Sequence, residues 1–133
     1  MESKQVSDKL LALKELAKRG DATAQFVIGW IYYFGEGVSQ DYTKAFQWFS
    51  KAAKRNHSIA QTFLGSMYKK GRGVDIDCVQ ADFWFNVAAS SEEIARESRA
   101  EMEKNMSPEQ IEQARTLARE WLGKHKSPNG SNS

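Results

Sequence analysis

Cysteine is almost absent, with Cys78 standing alone. A single thiol cannot close an internal disulfide, and a reducing compartment is the default reading. Proline occurs only twice, too rarely to interrupt long helices. Histidine occurs only at 57 and 125, which leaves few candidates for imidazole-based catalysis. Neither sign of charge dominates: the net charge of +2 is too small by itself to imply nucleic acid or an anionic membrane. Long apolar runs are also missing. The longest, residues 26–34, has nine residues, whereas a membrane-spanning helix needs about 20. The first twenty residues carry charge throughout, with no apolar signal core. These absences lead to the expectation of a soluble, cytoplasmic protein. Its 133 residues suit one domain able to bury a core without cross-links.

What the chain does have is aromatic residues and a repeat. Four tryptophans and seven phenylalanines supply large side chains for packed helices. Residues 17–52 align without a gap on residues 53–88, an offset of 36. That offset pairs Ala24 with Ala60, Gly29 with Gly65, Tyr32 with Tyr68, Gly35 with Gly71 and Gly37 with Gly73. It also pairs Asp41 with Asp77, Ala45 with Ala81, Trp48 with Trp84 and Ala52 with Ala88. A repeat of this length holds two helices and two turns.

Within each unit, Ala24, 26–28, Ile31 and Tyr32 show helical spacing. Gly29 interrupts that pattern at a cost of about 1 kcal/mol relative to alanine. Because Gly65 repeats the cost, close helix approach is the simplest reason. Gly35 and Gly37 end the helix, and Asp41 is placed to cap the next one. Asp77 has the same place in the second unit, with Gln80 positioned for a capping box. Ala45, Trp48, Phe49 and Ala52 form the buried face of the second helix. Before the repeats, Val6, Leu10, Leu13 and Ala17 make one helical stripe, in the place of the second helix of a preceding unit. After them, residues 92–104 read as a charged helix with a thin stripe of Ile94 and Met102. Ser107-Pro108-Glu109-Gln110 is a helix start, and Ile111, Ala114, Leu117, Trp121 and Leu122 form the expected buried face. The resulting division is a helix within 1–20, repeats over 21–56 and 57–91, capping helices over 92–123 and a disordered tail at 124–133.

The shared pattern A-x-x-x-[IL]-G-x-x-Y-x-x-G-x-G-V-x-x-D-x-x-[KQ]-A-x-x-W-x-x-x-A resembles the Sel1-like repeat, a relative of the tetratricopeptide repeat. The resemblance covers residues 17–88; after Ala89 the chain departs from it. It implies an all-α fold, a right-handed α/α superhelix of two complete repeats between capping helices. The function it implies is that of an adaptor or scaffold binding another protein or peptide in a concave groove. Some bacterial members of the family look like regulators and others like immunity proteins that neutralise toxins. A further, secreted branch carries a disulfide in each repeat, and the single cysteine puts this chain outside it.

By analogy with the tetratricopeptide relative, the first helix of each unit lines the groove. Its exposed positions are then Thr23, Phe26, Trp30, Tyr33 and Phe34, and in the second unit Ile59, Thr62, Ser66, Lys69 and Lys70. Core packing should not demand an aromatic residue in one repeat and lysine at the equivalent place in the next. Phe26, Trp30, Tyr33 and Phe34, with Thr62, Ser66, Lys69 and Lys70, are therefore the candidate partner-binding residues. A ligand with an apolar anchor and an acidic stretch would match both halves, with Lys69, Lys70 and Arg72 supplying positive charge. The competing reading is that the N-terminal segment covers the aromatics or that a homodimer forms there.

Catalytic readings find little support. His57 falls in an inter-repeat turn at the position of Asp21, and an exposed turn histidine is the simplest account. His125 falls in the tail. Cys78 matches Tyr42, which favours a half-buried packing role. No metal ligands stand at recognisable spacing. Gly35-Glu36-Gly37 and Gly71-Arg72-Gly73 lack both the strand and the Lys-Ser/Thr ending of a phosphate loop. Glu92-Glu93 reads as solvated charge at a helix start. No catalytic residue, cofactor or metal is expected. A nucleic-acid site built on Lys54, Arg55, Lys69, Lys70 and Arg72 is the remaining alternative, and the net charge argues against it.

Overall fold

The structure is a computed structural model that describes residues 4–125. Among the described residues there are seven helices and no strand: α1 (Lys4–Lys18), α2 (Ala22–Phe34), α3 (Tyr42–Lys54), α4 (Ser58–Lys70), α5 (Cys78–Ala88), α6 (Glu93–Glu103) and α7 (Pro108–Lys124). They form an α/α solenoid in which α1 to α5 pack successively, while α6 and α7 both pack on α5.

Local chemistry sets the helix ends. Asp21, Asp41 and Asp77 each accept a hydrogen bond from the backbone N–H three residues on, satisfying a donor the helix itself cannot. Asp77 and the Gln80 N–H make one half of the expected capping box. Both halves form at Ser107 and Gln110. Gly35 and Gly71 close α2 and α4 at φ 69° and 71°, in the left-handed region that costs glycine nothing.

The helix glycines mark close packing. A Cβ on Gly29 would lie 2.7 Å from Phe49, and one on Gly65 2.6 Å from Phe85. Phe49 and Phe85 are repeat equivalents and fully buried, so each unit seats one ring against one glycine. Buried glutamines link successive units. Gln25 Nε2 donates to the Ala17 carbonyl and Gln61 Nε2 to the Ala53 carbonyl, both at 3.1 Å. Since Ala17 and Ala53 share the offset of 36, α1 stands to α2 as α3 stands to α4.

The same device identifies α6. Arg96 Nη1 donates to the Ala89 carbonyl at 2.6 Å, and Ile94-Ala95-Arg96 matches Ile59-Ala60-Gln61 at a spacing of 35. Thus α6 is the first helix of a third, degenerate unit. The expected stripe of Ile94 and Met102 needs correction: Ile94 is 66% exposed, and Ala95, like Ala60, is the buried residue. In α7, Ala114 and Ala118 are buried whereas Leu122 is exposed, because α7 packs on α5 through its small residues. Trp121 meets Trp84 at 5.8 Å, edge to face. His125, expected in the tail, caps α7 and stacks on Trp121 at 3.8 Å. The remainder of the expected tail, 126–133, lies outside the described residues.

Candidate partner-binding cleft

A cleft of about 360 Å³ runs between the first helices of the units. Phe34 of α2 forms one wall. The floor is α4, through Ile59, Thr62, Phe63 and Ser66, and the start of α6 closes the far side with Ile94. Phe34, Ile59 and Ile94 are 47%, 44% and 66% exposed, an unusual concentration of large apolar side chains in one concavity.

Charge sits at the two ends. Lys70 and Arg72 line the end at the C-terminus of α4. At its N-terminus, Glu92 Oε2 accepts from Ser58 Oγ at 2.9 Å. Thirteen residues of helix separate the ends by roughly 18 Å at 1.5 Å per residue. The cleft is therefore bipolar, with an apolar middle.

The structure divides the sequence candidates. Phe34, Thr62, Ser66 and Lys70 line this cleft together, with Tyr33 beside them. Lys69 is exposed outside it. Trp30 is 37% exposed but lies in a separate recess with Val6, Lys9 and Val27, in contact with Phe34 across 4.8 Å.

Tyr33 lines the cleft but is mostly covered, and Phe26 is half-buried outside it. Tyr33 is only 7% exposed, with its ring against Tyr42, Phe49 and Phe63. Its hydroxyl accepts from Arg72 Nη1 at 2.7 Å. Arg72 also lies 5.3 Å from the centre of the Tyr42 ring. The aromatic-to-lysine contrast between Tyr33 and Lys69 thus does reflect packing. The second unit covers Tyr33, whereas the degenerate third unit leaves Lys69 in solvent. Phe26 is half-buried between Phe49 and Phe63 and stacks on His57 at 4.7 Å.

His57 is likewise no exposed turn residue. Its Nδ1 accepts from the Ala60 N–H at 3.1 Å and caps α4, a role that requires that nitrogen unprotonated. Burial lowers its pKa, against opposing effects of its backbone hydrogen bond and the Glu92 charge. Cys78 is half-buried in the first turn of α5. Among the described residues, no three His, Cys, Asp or Glu side chains gather where they could hold a metal ion. No helix among them is long and apolar enough to cross a membrane.

Sequence reasoning missed Phe63, Glu92 and Ile94 as cleft residues. Ile94 carried a signal, its match to Ile59 at a spacing of 35, but the lost residue breaks the register of 36. Phe63 carried none, because its repeat equivalent is Val27.

The Sel1 repeat family model matches residues 22–57 and 58–92. The crystal structure of c5321, a protective antigen present in uropathogenic Escherichia coli strains displaying an SLR fold, is 34% identical with a TM-score of 0.82. That similarity covers 87% of this chain and 25% of the antigen, so the chain spans about a quarter of that protein's length. A Sel1 repeat protein from Oxalobacter formigenes is 38% identical over 67% of this chain and 68% of its own, with a TM-score of 0.65. No curated protein matches the chain.

Proposed function

The chain belongs to the Sel1 repeat family, and from that premise we propose that its cleft binds a segment of a partner protein. Members of the family are generally protein-interaction modules. The observation that carries the reading is the grouping of exposed Phe34, Ile59 and Ile94 in one concavity with opposite charges at its ends. A short segment would place an apolar side chain between Phe34 and Ile94. An acidic residue would face Lys70, and a donor or basic residue would face Glu92.

This reading narrows the acidic stretch anticipated from Lys69, Lys70 and Arg72. Arg72 is committed to Tyr33 and Lys69 lies outside the cleft, so Lys70 is the main cation offered to a ligand. A nucleic-acid site is not favoured, because Lys54 and Arg55 end α3 while Lys69 and Lys70 end α4. Joined by a short turn, those helices place the two basic pairs at opposite ends of the layer.

The test places a photo-crosslinking residue at Thr62 and identifies captured proteins in the presence and absence of Phe34→Asp/Ile94→Asp. A partner captured by the parent, lost in the double variant and retained by Lys69→Gln supports the cleft. Equal capture by all three moves the site elsewhere. Circular dichroism and light scattering on the same samples check the helical fold and reveal any homodimer. With both replaced side chains exposed, the fold is expected to survive.

A further inference from the structure

A second concavity, about 430 Å³, opens between α5, α6 and α7. Asn86, Arg99, Arg115 and Arg119 converge on it, with Ala118 and Leu122 at one side, and no carboxylate lines it. Three guanidinium groups around one hollow repel one another, so their placement calls for a reason. Arg99 makes the point sharply. At the spacing of 35 that aligns α6 with α4, it stands where α4 carries the buried Leu64.

Each guanidinium is held from one side. Arg99 Nη1 donates to Asn86 Oδ1 at 3.1 Å. The Asn86 amide is itself oriented by donating to the Asp82 carbonyl at 2.8 Å and to Asp82 Oδ2 at 3.2 Å. Arg115 Nη2 donates to Glu103 Oε1 at 2.8 Å. Arg119 Nη2 donates to Thr116 Oγ1 at 3.1 Å and to Glu112 Oε1 at 3.3 Å. A guanidinium has five N–H donors, so each retains donors beyond these contacts. Two carboxylates, Glu103 and Glu112, oppose three positive charges. Asp82 does not restore the balance. Burial and the neighbouring Glu103 carboxylate push its carboxyl up to about 8, against the opposing pull of Arg115 and Arg99, which favours its neutral form.

We propose that this hollow binds a phosphate monoester, its oxygens taken by Arg99, Arg115 and Arg119 and its organic group resting on Ala118 and Leu122. Three pre-oriented forks match a tetrahedral dianion better than a planar carboxylate, which one fork satisfies. The volume exceeds that of bare phosphate, and the apolar side gives the organic group a surface.

The experiment titrates the full chain with phenyl phosphate, inorganic phosphate, benzoate and sodium chloride at matched ionic strength, read by amide NMR shifts. The expected result is saturable movement of the Asn86, Arg99, Arg119 and Leu122 signals with phenyl phosphate, weaker with inorganic phosphate and weaker again with benzoate. Arg99→Gln and Arg119→Gln should each reduce phenyl phosphate affinity by on the order of tenfold, the loss of one charge-assisted hydrogen bond. Lys69→Gln/Lys70→Gln should leave it unchanged. The Arg119 side chain is largely exposed, so that variant keeps the test readable even if Arg99→Gln perturbs the fold. Non-saturating shifts equal to those with chloride would overturn the site. So would binding unaffected by either arginine variant. Benzoate binding as tightly as phenyl phosphate would overturn the assignment to phosphate, and inorganic phosphate doing so would overturn the role of Ala118 and Leu122.

Discussion

Tyr33 joins the two repeats through a buried phenol that accepts from Arg72. Tyr33→Phe removes that acceptor while keeping the ring, so thermal or urea unfolding should show a measurable loss of stability with the fold intact. Gly29 and Gly65 answer to geometry and not to propensity. Alanine would improve the helix by about 1 kcal/mol, yet the added methyl meets a ring at 2.7 Å or 2.6 Å. Gly65→Ala is therefore expected to destabilise by a net 1–3 kcal/mol, the range for overpacked cores. Gly65→Ala/Phe85→Leu should recover part of that loss in the same denaturation assay. His57 gives a pH signature. Its pKa is lowered in the folded state, so the unfolded chain binds the proton more readily. The stability associated with it is then present above the ordinary histidine pKa and is lost as pH falls through the folded value. His57→Asn, which retains a cap acceptor, should flatten the thermal midpoint between about pH 5 and 7.

At the scale of elements, α5, α6 and α7 meet around a buried acid pair. Asp82 is fully buried, and neither Asp82 Oδ1 nor Glu103 Oε2 has a protein donor. Burial of Asp82 and the Glu103 carboxylate beside it both favour keeping a proton on Asp82. The sign follows from the raised value. Between the ordinary carboxylate range and about 8, the folded chain holds a proton that the unfolded chain has released. The stability this proton confers is complete at acid pH and is lost as pH rises toward about 8, with a slope of at most about 1.4 kcal/mol per pH unit. Asp82→Asn supplies a permanent donor and should remove that slope, raising the thermal midpoint most at alkaline pH. A variant retaining the wild-type slope would mean that Asp82 does not hold that proton. This pair was not legible in the sequence, because Asp82 and Glu103 lie 21 positions apart on helices whose packing no local pattern encodes. The caps at Asp41, Asp77 and Ser107 were legible, since each acts on an N–H only three residues away, whereas His57 is not a common capping residue and was read as an exposed turn.

At the scale of the whole molecule, two regular units are fewer than the three that a solenoid usually needs to bury a continuous core. Here α1 supplies the missing half-unit before the repeats, and α6 with α7 covers the face after them. Ending the chain at residue 92 would expose Phe83, Trp84 and Ala88, which α6 and α7 help to bury. The shortened chain is expected to lose its cooperative unfolding transition and to aggregate, as measured by calorimetry and light scattering. A sharp transition within a few degrees of the parent would show that the two regular units and α1 suffice.

By itself the sequence determined the repeat, the alternation of helices, the Asp41 and Asp77 caps and the glycine turns. These follow from interactions reaching three to five residues along the chain, and the offset of 36 displays each of them twice. Only the tertiary structure decided which unshared residues are covered and which are offered to solvent. Tyr33 and Arg72 are 39 residues apart, and Ser58 and Glu92 are 34 apart. Whether an aromatic side chain is core or surface depends on the unit that packs over it. That is why Tyr33 and Phe26 joined the core while Phe34 and Ile94 came to face one another across the cleft.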